Sequence, residues 1–520
     1  MIVLIPNFRA IPIFCVLALL LGCGPDTSIS SSIGRTIPEE EIRYLVVSLV
    51  PDDSDFEKAV QHLAMRYGCD VLRESPATFE QLRNELQRLQ PNHVAFVVEP
   101  DDLEQNFVAR VMKLSTEIDS DPFVDFAYGF ITGRDSQAAI QLIDASSNQH
   151  SNVLASISQF GVASITLPNS IRQKTEWPIR NGSIPVTLYM SEGDTDETRD
   201  QPFIQKSMVE LDRQPILLFA SHGYPDGMVG GPKASDIQGR DFRGSVALNM
   251  ACYNGVTRSW FEDDWKSGKI LKHEIDRDKS FCLEMIDNGV AAYVAYASPR
   301  PSGPTMMGDA LLVATAGQSM GQLRQQDANS IVLAHLLSGA ESLKISEVVE
   351  GDSVDPNRSP GESVRRSSTG GFLIGDPAYQ PFPAKPDSDP RTQTVIRSED
   401  RILVRVNVDT PVFHFYCSDQ LGYWDGSQPA MRLEAAVPLQ NSLIKDVQLK
   451  SSSFGDENYR LAAAVDIEEG RRILRIVANF PQPPMEQLEK LAKNGVVGQF
   501  EILLSTESDP SGDKRRVIRH

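Results

Sequence analysis

A histidine and a cysteine each follow an apolar run of this chain. The run Ile-Leu-Leu-Phe-Ala-Ser leads into His222, and the run Val-Ala-Leu-Asn-Met-Ala leads into Cys252. A cysteine nucleophile needs such a partner, because the imidazole sets the ionisation of the thiol and later gives a proton to the leaving group. The pair therefore predicts nucleophilic catalysis by a thiol.

The spacing of the two residues fits a site at the edge of a parallel sheet. The stretch between His222 and Cys252 exceeds the roughly dozen residues that a crossover between parallel strands needs. Sites in open α/β sheets form at the carboxyl ends of the strands, where both residues would lie. The backbone amides of Gly223 and Cys252 are then candidate donors to an oxyanion. The alternative is a cysteine that only fills the core and a histidine that only occupies a turn.

Apolar, strand-like runs alternate with helical stretches from Arg43 onward. Tyr44–Val50, Val94–Val98 and Val290–Tyr296 are typical of buried strands. Alternation of this kind predicts an α/β fold, with a mostly parallel sheet flanked by helices on both faces. We expect this domain to span residues 43–382.

The pattern changes after a linker at 383–394. Residues 395–507 contain several short strand candidates, among them Arg401–Val408, Val412–Tyr416 and Ile473–Asn479. Short strands without intervening helices predict a C-terminal β-sandwich of the immunoglobulin-like kind. The charged residues 508–520 are expected to form a tail.

The N-terminus predicts export. Arg9 precedes an apolar core at Ile11–Leu21 that is too short to span a membrane. Leu20-Leu21-Gly22-Cys23 resembles the lipobox of bacterial lipoproteins, which implies cleavage before Cys23, lipidation of that residue and attachment to a membrane of the bacterial cell envelope. Residues 1–23 would then be the signal peptide and 24–42 a flexible tether. An ordinary secretory signal is the alternative.

Composition argues against several classes of function. A net charge of −20 over 520 residues makes nucleic acid an unsuitable partner. After Cys23 only Cys69, Cys252, Cys282 and Cys417 remain, too few for a disulfide framework. Cys69, Cys282 and Cys417 have apolar neighbours and are predicted to belong to the core. The common zinc and nucleotide signatures are absent from the sequence.

One acidic turn is a candidate for binding a cation. Residues 192–197, Glu-Gly-Asp-Thr-Asp-Glu, are rich in oxygen ligands but lack the EF-hand pattern. We therefore predict no cofactor and no metal, with calcium at this turn as the alternative to a solvated loop.

The order of these motifs resembles that of the gingipain-type cysteine peptidase family, within the caspase-like peptidases of clan CD. The first similarity is the short spacing between the motif His222-Gly223 and the motif Ala251-Cys252-Tyr253-Asn254-Gly255. Ser280–Glu284 leading to Gly289–Ala292 resembles the helix and strand that follow the family's catalytic cysteine. Leu373–Ala378 resembles the Gly-Asp-Pro segment that closes its catalytic unit. The resemblance covers roughly residues 43–380 and implies a caspase- or gingipain-like sheet.

The resemblance also implies specific roles for the site residues. Cys252 would be the nucleophile and His222 the general acid/base for cleavage of a peptide bond. The amides of Gly223 and Cys252 would bind the oxyanion, and the substrate would be a protein or peptide.

The chain departs from the family in the region upstream of His222. The family places a specificity-setting carboxylate and a possible third catalytic acid there, but this region is compressed here, and Asp121, Asp125 and Asp135 stay unassigned. Segment 256–279 follows the cysteine directly and could form a wall of the pocket, but we expect a solvated loop here. Its notable residues are Trp260, Asp263, Asp264 and Trp265.

These patterns together predict an exported, lipid-anchored cysteine endopeptidase. A caspase-like signalling domain of the CHAT type is one alternative, and the export signal and the Gly-Asp-Pro segment count against it. A catalytically inactive surface scaffold or adhesin is the other, and the compressed upstream region keeps it open. Reactivity of the Cys252 thiol separates an enzyme from a scaffold.

Overall fold

The computed structural model describes most of the chain from residue 42 onward. The described residues are 42–119, 121–147, 149–150, 155–162, 169–179, 182–193, 195–299, 306–315, 317–337, 345–354, 371–383, 391–397, 401–408, 430–439, 442–452, 459–468, 471–481, 498–508 and 518–519. The predicted signal peptide, Cys23, residues 24–41 of the tether, the predicted strand Val412–Tyr416 and Cys417 lie outside them. No helix in the described part of the chain is long and apolar enough to cross a membrane.

An eleven-stranded sheet dominates the region up to residue 375. The described strands of this region are β1 Tyr44–Ser48, β2 Val71–Arg73, β3 His93–Val97, β4 Ala127–Ile131, β5 Ile157–Val162, β6 Ile171–Ile179, β7 Gly182–Ser191, β8 Ile216–Ala220, β9 Gly223–Tyr224, β10 Gly227–Met228, β11 Val246–Asn249, β12 Ser259–Asp264, β13 Lys269–Glu274, β14 Ala292–Ala295 and β15 Phe372–Gly375. Two pairs of them, β9 with β10 and β12 with β13, form separate two-stranded sheets. The sheet order is β2-β1-β3-β4-β15-β14-β11-β8-β5-β7-β6.

Most strands of this sheet pair in parallel. Strands β1 to β4 are parallel to one another, and so are β7, β5, β8, β11 and β14. Strand β15 is antiparallel to β14, and β6 is antiparallel to β7. The predicted α/β fold with a mostly parallel sheet is therefore confirmed.

Helices cover both faces of the sheet. They are α1 Glu57–Tyr67, α2 Arg83–Leu89, α3 Gln105–Ser115, α4 Ser136–Ala145, α5 Gln201–Glu210, α6 Ala234–Ile237, α7 Phe281–Asp287, α8 Met306–Thr315 and α9 Met320–Leu337. In β8, Leu217 and Phe219 enter a core shared with α7, while Ile216 and Leu218 enter a second core shared with α8. Burial on both faces explains why these strands are continuously apolar.

The Gly-Asp-Pro segment after β15 contacts β1, the first strand of the sheet in chain order. Asp376 is fully buried and accepts hydrogen bonds from the hydroxyls of Tyr44 (2.9 Å) and Tyr67 (2.5 Å). The Arg66 guanidinium lies 3.8 Å from the same carboxylate. Burial and the adjacent Asp376 carboxylate raise the pKa of Tyr44 and of Tyr67. Because Tyr44 begins β1, this cluster joins the end of β15 to the amino end of β1.

The C-terminal region forms two antiparallel sheets. Their strands are β16 Arg391–Arg397, β17 Arg401–Val408, β18 Ala430–Leu439, β19 Ser442–Ser452, β20 Arg460–Glu468, β21 Arg471–Pro481, β22 Gly498–Ser508 and β23 Ile518–Arg519. One sheet has the order β16-β17-β22-β19 and the other β18-β21-β20-β23. Apolar residues of both sheets, including Val404 and Leu474, share one core. Strand β16 begins within the predicted linker, and β23 lies in the predicted tail.

Candidate active site

His222 and Cys252 follow two adjacent parallel strands. Strands β8 and β11 pair with Phe219 opposite Asn249, and the Met250 amide donates to the Phe219 carbonyl at 2.8 Å. Each of the two candidate residues is the third one after that pair. They therefore leave the sheet side by side at its carboxyl edge, with His222 exposed and Cys252 half-buried.

The histidine begins a small hairpin at residues 222–229, here termed the histidine hairpin. The His222 carbonyl accepts from the Val229 amide at 3.0 Å, and β9 and β10 pair through Tyr224 and Gly227. The Ser221 hydroxyl also donates to the Val229 carbonyl, at 3.3 Å. These bonds fix the backbone that carries the imidazole.

Gly223 brings the histidine hairpin against residues 250–255, here termed the cysteine loop. A Cβ atom built on Gly223 would lie 2.6 Å from the Ala251 Cβ, and 2.9 Å from both the Cys252 carbonyl oxygen and the Asn254 amide nitrogen. Only glycine fits this contact. The candidate oxyanion donors, the amides of Gly223 and Cys252, thus belong to two segments in direct contact.

A buried polar network supports the cysteine loop from below. Asn249 Nδ2 donates to Asn254 Oδ1 at 2.7 Å and to the Tyr293 hydroxyl at 3.0 Å. Asn249 Oδ1 accepts from the Ala251 amide at 2.9 Å. The Tyr293 hydroxyl donates to the Asn254 carbonyl at 2.9 Å. Sequence reasoning gave none of these three residues a role, although Asn254 belongs to the motif at 251–255 and Asn249 is polar within an otherwise apolar run.

Tyr253, directly after the cysteine, has a left-handed backbone with φ of 60°. For a residue with a large side chain this conformation costs about 1–3 kcal/mol and persists only where the surroundings enforce it. The buried ring and a 3.0 Å hydrogen bond from the Tyr253 hydroxyl to the Phe261 carbonyl supply that enforcement. The left-handed residue therefore fixes the turn that follows Cys252.

The segment after the cysteine loop is a β-hairpin, so its interpretation as a solvated loop is wrong. Strands β12 and β13 pair along their whole length. Phe261 and Ile270 pack with Val348 and Val354 in a small separate core. This packing explains why residues of β12 alternate between buried and half-buried positions.

The four residues noted in this hairpin have different environments. Trp260 stacks on the ring of His273, with centroids 5.2 Å apart. Asp263 is buried, and Asp264 closes the turn by accepting from the amides of Lys266 and Ser267. Trp265 is exposed at the tip.

Strand β12 also lies near the thiol. Burial raises the pKa of Tyr224, and the charges of Glu262 and Cys252 add to the increase. Burial raises the pKa of Tyr253 as well, with the same two neighbours contributing next. Glu262 and Cys252 are therefore electrostatic neighbours of both tyrosines.

The carboxylates around the site have cationic or ionisable partners. Lys233 Nζ lies 3.1 Å from Asp196 and 3.4 Å from Asp226. His273 Nε2 lies 3.7 Å from Glu262. The Lys233 ammonium is thus shared by the Asp196 and Asp226 carboxylates.

The three unassigned aspartates serve the fold. Asp135 caps α4 by accepting from the Ala138 amide at 2.9 Å. Asp121 accepts from the Phe123 amide at 2.8 Å, and Asp125 from the Ile118 amide at 3.0 Å. Asp121 and Asp125 precede β4, whereas His222 and Cys252 follow the carboxyl ends of their strands.

Two other cysteines behave as core residues, as predicted. Cys282 is fully buried in α7, and burial raises its pKa. Cys69 is half-buried against the same core, and its pKa is also raised by burial. Neither of them, nor Cys252, forms a disulfide in the described part of the chain.

In the acidic turn at 192–197, Asp196 already has partners within the protein. Asp196 binds Lys233 and accepts from the Gly230 amide at 3.2 Å. Among the residues that the structure describes, no group of three or more His, Cys, Asp or Glu side chains is arranged to hold a metal ion.

Comparisons with known proteins add little. No family model and no curated protein matches this chain. Among solved structures, LsrB from Clostridium saccharobutylicum in complex with AI-2 matches with 10% sequence identity, covering 42% of this chain and 76% of that chain with a TM-score of 0.13. A TM-score this low does not define a shared fold.

Proposed function

We propose that this chain is an exported cysteine endopeptidase of the gingipain type, anchored by lipid on Cys23. The observation that carries the proposal is the placement of His222 and Cys252 directly after two adjacent parallel strands, with Gly223 packed against the Cys252 carbonyl. The same proposal gives the sheet a caspase- or gingipain-like topology and the C-terminal sheets an immunoglobulin-like one. It requires no cofactor.

The chemistry follows the usual course of a thiol nucleophile. His222 accepts the proton of the Cys252 thiol, and Sγ attacks the carbonyl carbon of the scissile peptide. The carbonyl oxygen becomes an oxyanion that the amides of Gly223 and Cys252 stabilise. When the C–N bond breaks, the imidazolium gives its proton to the leaving amine and a thioester remains.

Water then completes the cycle. His222 accepts a proton from water, and the resulting oxygen nucleophile attacks the thioester carbonyl. The C–S bond breaks, the sulfur regains the proton, and the carboxylic acid leaves. Exposure of His222 gives water access to the imidazole in this step.

An inactive scaffold is the second candidate function. Asp121, Asp125 and Asp135, the carboxylates considered for specificity or for a third catalytic acid, all bind backbone amides of their own loops. A chain that had lost catalysis would retain such structural contacts.

A peptide-cleavage assay separates the two. The chain lacking residues 1–23 is incubated with a peptide library of mixed sequence, and new termini are identified by mass spectrometry. Cleavage by wild type and by Cys69→Ala, but not by Cys252→Ala, is expected, with a strongly reduced rate for His222→Ala. Cleavage that survives Cys252→Ala would contradict Cys252 as the nucleophile, and no cleavage by any folded form would favour the scaffold.

A further inference from the structure

The side-chain amide of Asn254 lies between the histidine hairpin and the cysteine loop. It is fully buried. Its Nδ2 donates to the carbonyls of Tyr224 at 2.5 Å and Gly227 at 3.1 Å, which are the paired residues of the histidine hairpin. The same nitrogen lies 3.4 Å from the Cys252 carbonyl. One amide group thus contacts both segments of the candidate site.

The orientation of this amide is itself fixed. Asn254 Oδ1 accepts from Asn249, and the Asn254 carbonyl accepts from Tyr293. Asn249 ends β11 and Tyr293 belongs to the adjacent strand β14. A buried network whose donors and acceptors are satisfied holds one geometry. The central sheet therefore determines where the Asn254 amide points.

We propose that Asn254 is a positioning residue that sets the spacing between His222 and Cys252. The inference rests on the proposed peptidase function. Asn254 acts through the backbone: it holds the turn of the histidine hairpin and the Cys252 carbonyl at a fixed separation. The amides of Gly223 and Cys252 keep their mutual geometry for the same reason.

Aspartate at this position tests the role with almost no change in shape. A carboxylate only accepts hydrogen bonds, so its oxygens would face the carbonyl oxygens of Tyr224, Gly227 and Cys252. Repulsion would separate the two segments. A displacement of about 1 Å at reacting groups costs on the order of 100-fold in rate.

Asn288 provides a matched control. It is also buried, and its Nδ2 donates to the carbonyls of Ile237 at 3.0 Å and Glu284 at 2.7 Å and to the Glu284 carboxylate at 3.2 Å. It follows α7 and precedes β14, so it belongs to the amino end of that strand. Asn288→Asp therefore replaces a buried donor by an acceptor away from the candidate site, and repulsion from the Glu284 carboxylate makes it the more severe of the two changes.

The experiment uses the full chain in detergent and acyloxymethyl ketone probes with Arg, Lys, Asp or Asn next to the reactive group. For the probe that labels fastest, the maximal labelling rate and the half-saturating concentration are measured alongside thermal unfolding. Asn254→Asp should lower the maximal rate about 100-fold with an unchanged half-saturating concentration. Asn288→Asp should keep the wild-type rate. Equal effects of the two variants, or a wild-type rate in Asn254→Asp, would overturn the proposal.

Two additions keep the test decisive. If Asn254→Asp does not fold, Tyr293→Phe removes the hydroxyl that donates to the Asn254 carbonyl and accepts from Asn249, and about a fivefold loss of rate is expected. An unchanged rate would overturn the proposal. If no probe labels wild type, the peptidase function fails by itself, and alkylation of Cys252 by iodoacetamide still tests the positioning role. A pH profile of alkylation altered in Asn254→Asp and not in Asn288→Asp would support that role; equal profiles would overturn it.

Discussion

Replacing Gly223 by alanine adds one methyl group where the histidine hairpin meets the cysteine loop. The new Cβ would lie 2.6 Å from the Ala251 Cβ and 2.9 Å from the Cys252 carbonyl oxygen. Neither atom belongs to a flexible side chain. Relief of the contact must therefore come from movement of one segment away from the other.

The size of the effect follows from that geometry. Forcing an extra methyl group into a packed region typically costs about 1–3 kcal/mol of stability. Separation of the segments by about 1 Å would change the distance between His222 and Cys252 and between the two candidate oxyanion amides, which corresponds to about a 100-fold loss of rate. We expect Gly223→Ala to be folded and nearly inactive.

Gly68→Ala is the matched control. Gly68 ends α1 with φ of +59°, and a Cβ there would meet nothing within 4 Å. Alanine in this left-handed conformation costs roughly 1–2 kcal/mol without touching the candidate site. Labelling rates and thermal unfolding are measured for both variants. If Gly223→Ala were labelled as fast as Gly68→Ala, the contact of Gly223 with the cysteine loop would not control reactivity and the prediction would be refuted.

Three further predictions concern stability. Tyr253→Phe removes the hydrogen bond to the Phe261 carbonyl. The free energy of unfolding, measured by urea titration, should fall by about 1–3 kcal/mol. An unchanged midpoint of urea unfolding would show that this bond contributes nothing. Asp376→Asn should also destabilise the fold by about 1–3 kcal/mol, because Tyr44 and Tyr67 both donate to the carboxylate. Probes should label Cys252 of this variant at the wild-type rate. A slower rate would contradict a purely structural role. Burial and the neighbouring Asp119 and Asp121 carboxylates raise the pKa of Asp125 to about 9, so the folded chain retains a proton that the unfolded chain loses near pH 4. The contribution of Asp125 to stability should therefore be lost as pH rises from about 4 to 9. Asp125→Asn should remove this contribution and change the slope of stability against pH between about pH 5 and 8; an identical slope in the variant would contradict the shifted pKa.

The strands of the central sheet were largely predictable because they are buried on both faces. Tyr44–Val50 and Val290–Tyr296 contain β1 and β14 as continuous apolar runs. Strand β6 and the β12–β13 hairpin were missed, since their residues alternate with polar ones and only one face is buried. Alternation over so few residues also fits a loop.

Helix ends depended on local features that periodicity does not reveal. The boundary between α8 and α9 is an example, since α8 ends at Thr315 and α9 begins at Met320. Gly317 has a φ of 63°. The side chains of Ser319 and Gln322 then bond reciprocally to each other's backbone amides, which is a capping box.

Only part of the candidate site was predicted from the sequence. His222 and Cys252 were found because each ends an apolar run. Asn254 and Tyr293 act through contacts between segments distant in sequence, and their spacing carries no period that a single sequence shows. The structure was needed to place them.

Covalent labelling tests the central claim most directly. Purified chain lacking residues 1–23 is treated with the panel of acyloxymethyl ketones, and the modified residue is identified by mass spectrometry in wild type, Cys252→Ala and His222→Ala. The account predicts one adduct, on Cys252, absent in Cys252→Ala and formed much more slowly in His222→Ala. Labelling confined to Cys69, or no labelling of folded wild type by any probe, would contradict it.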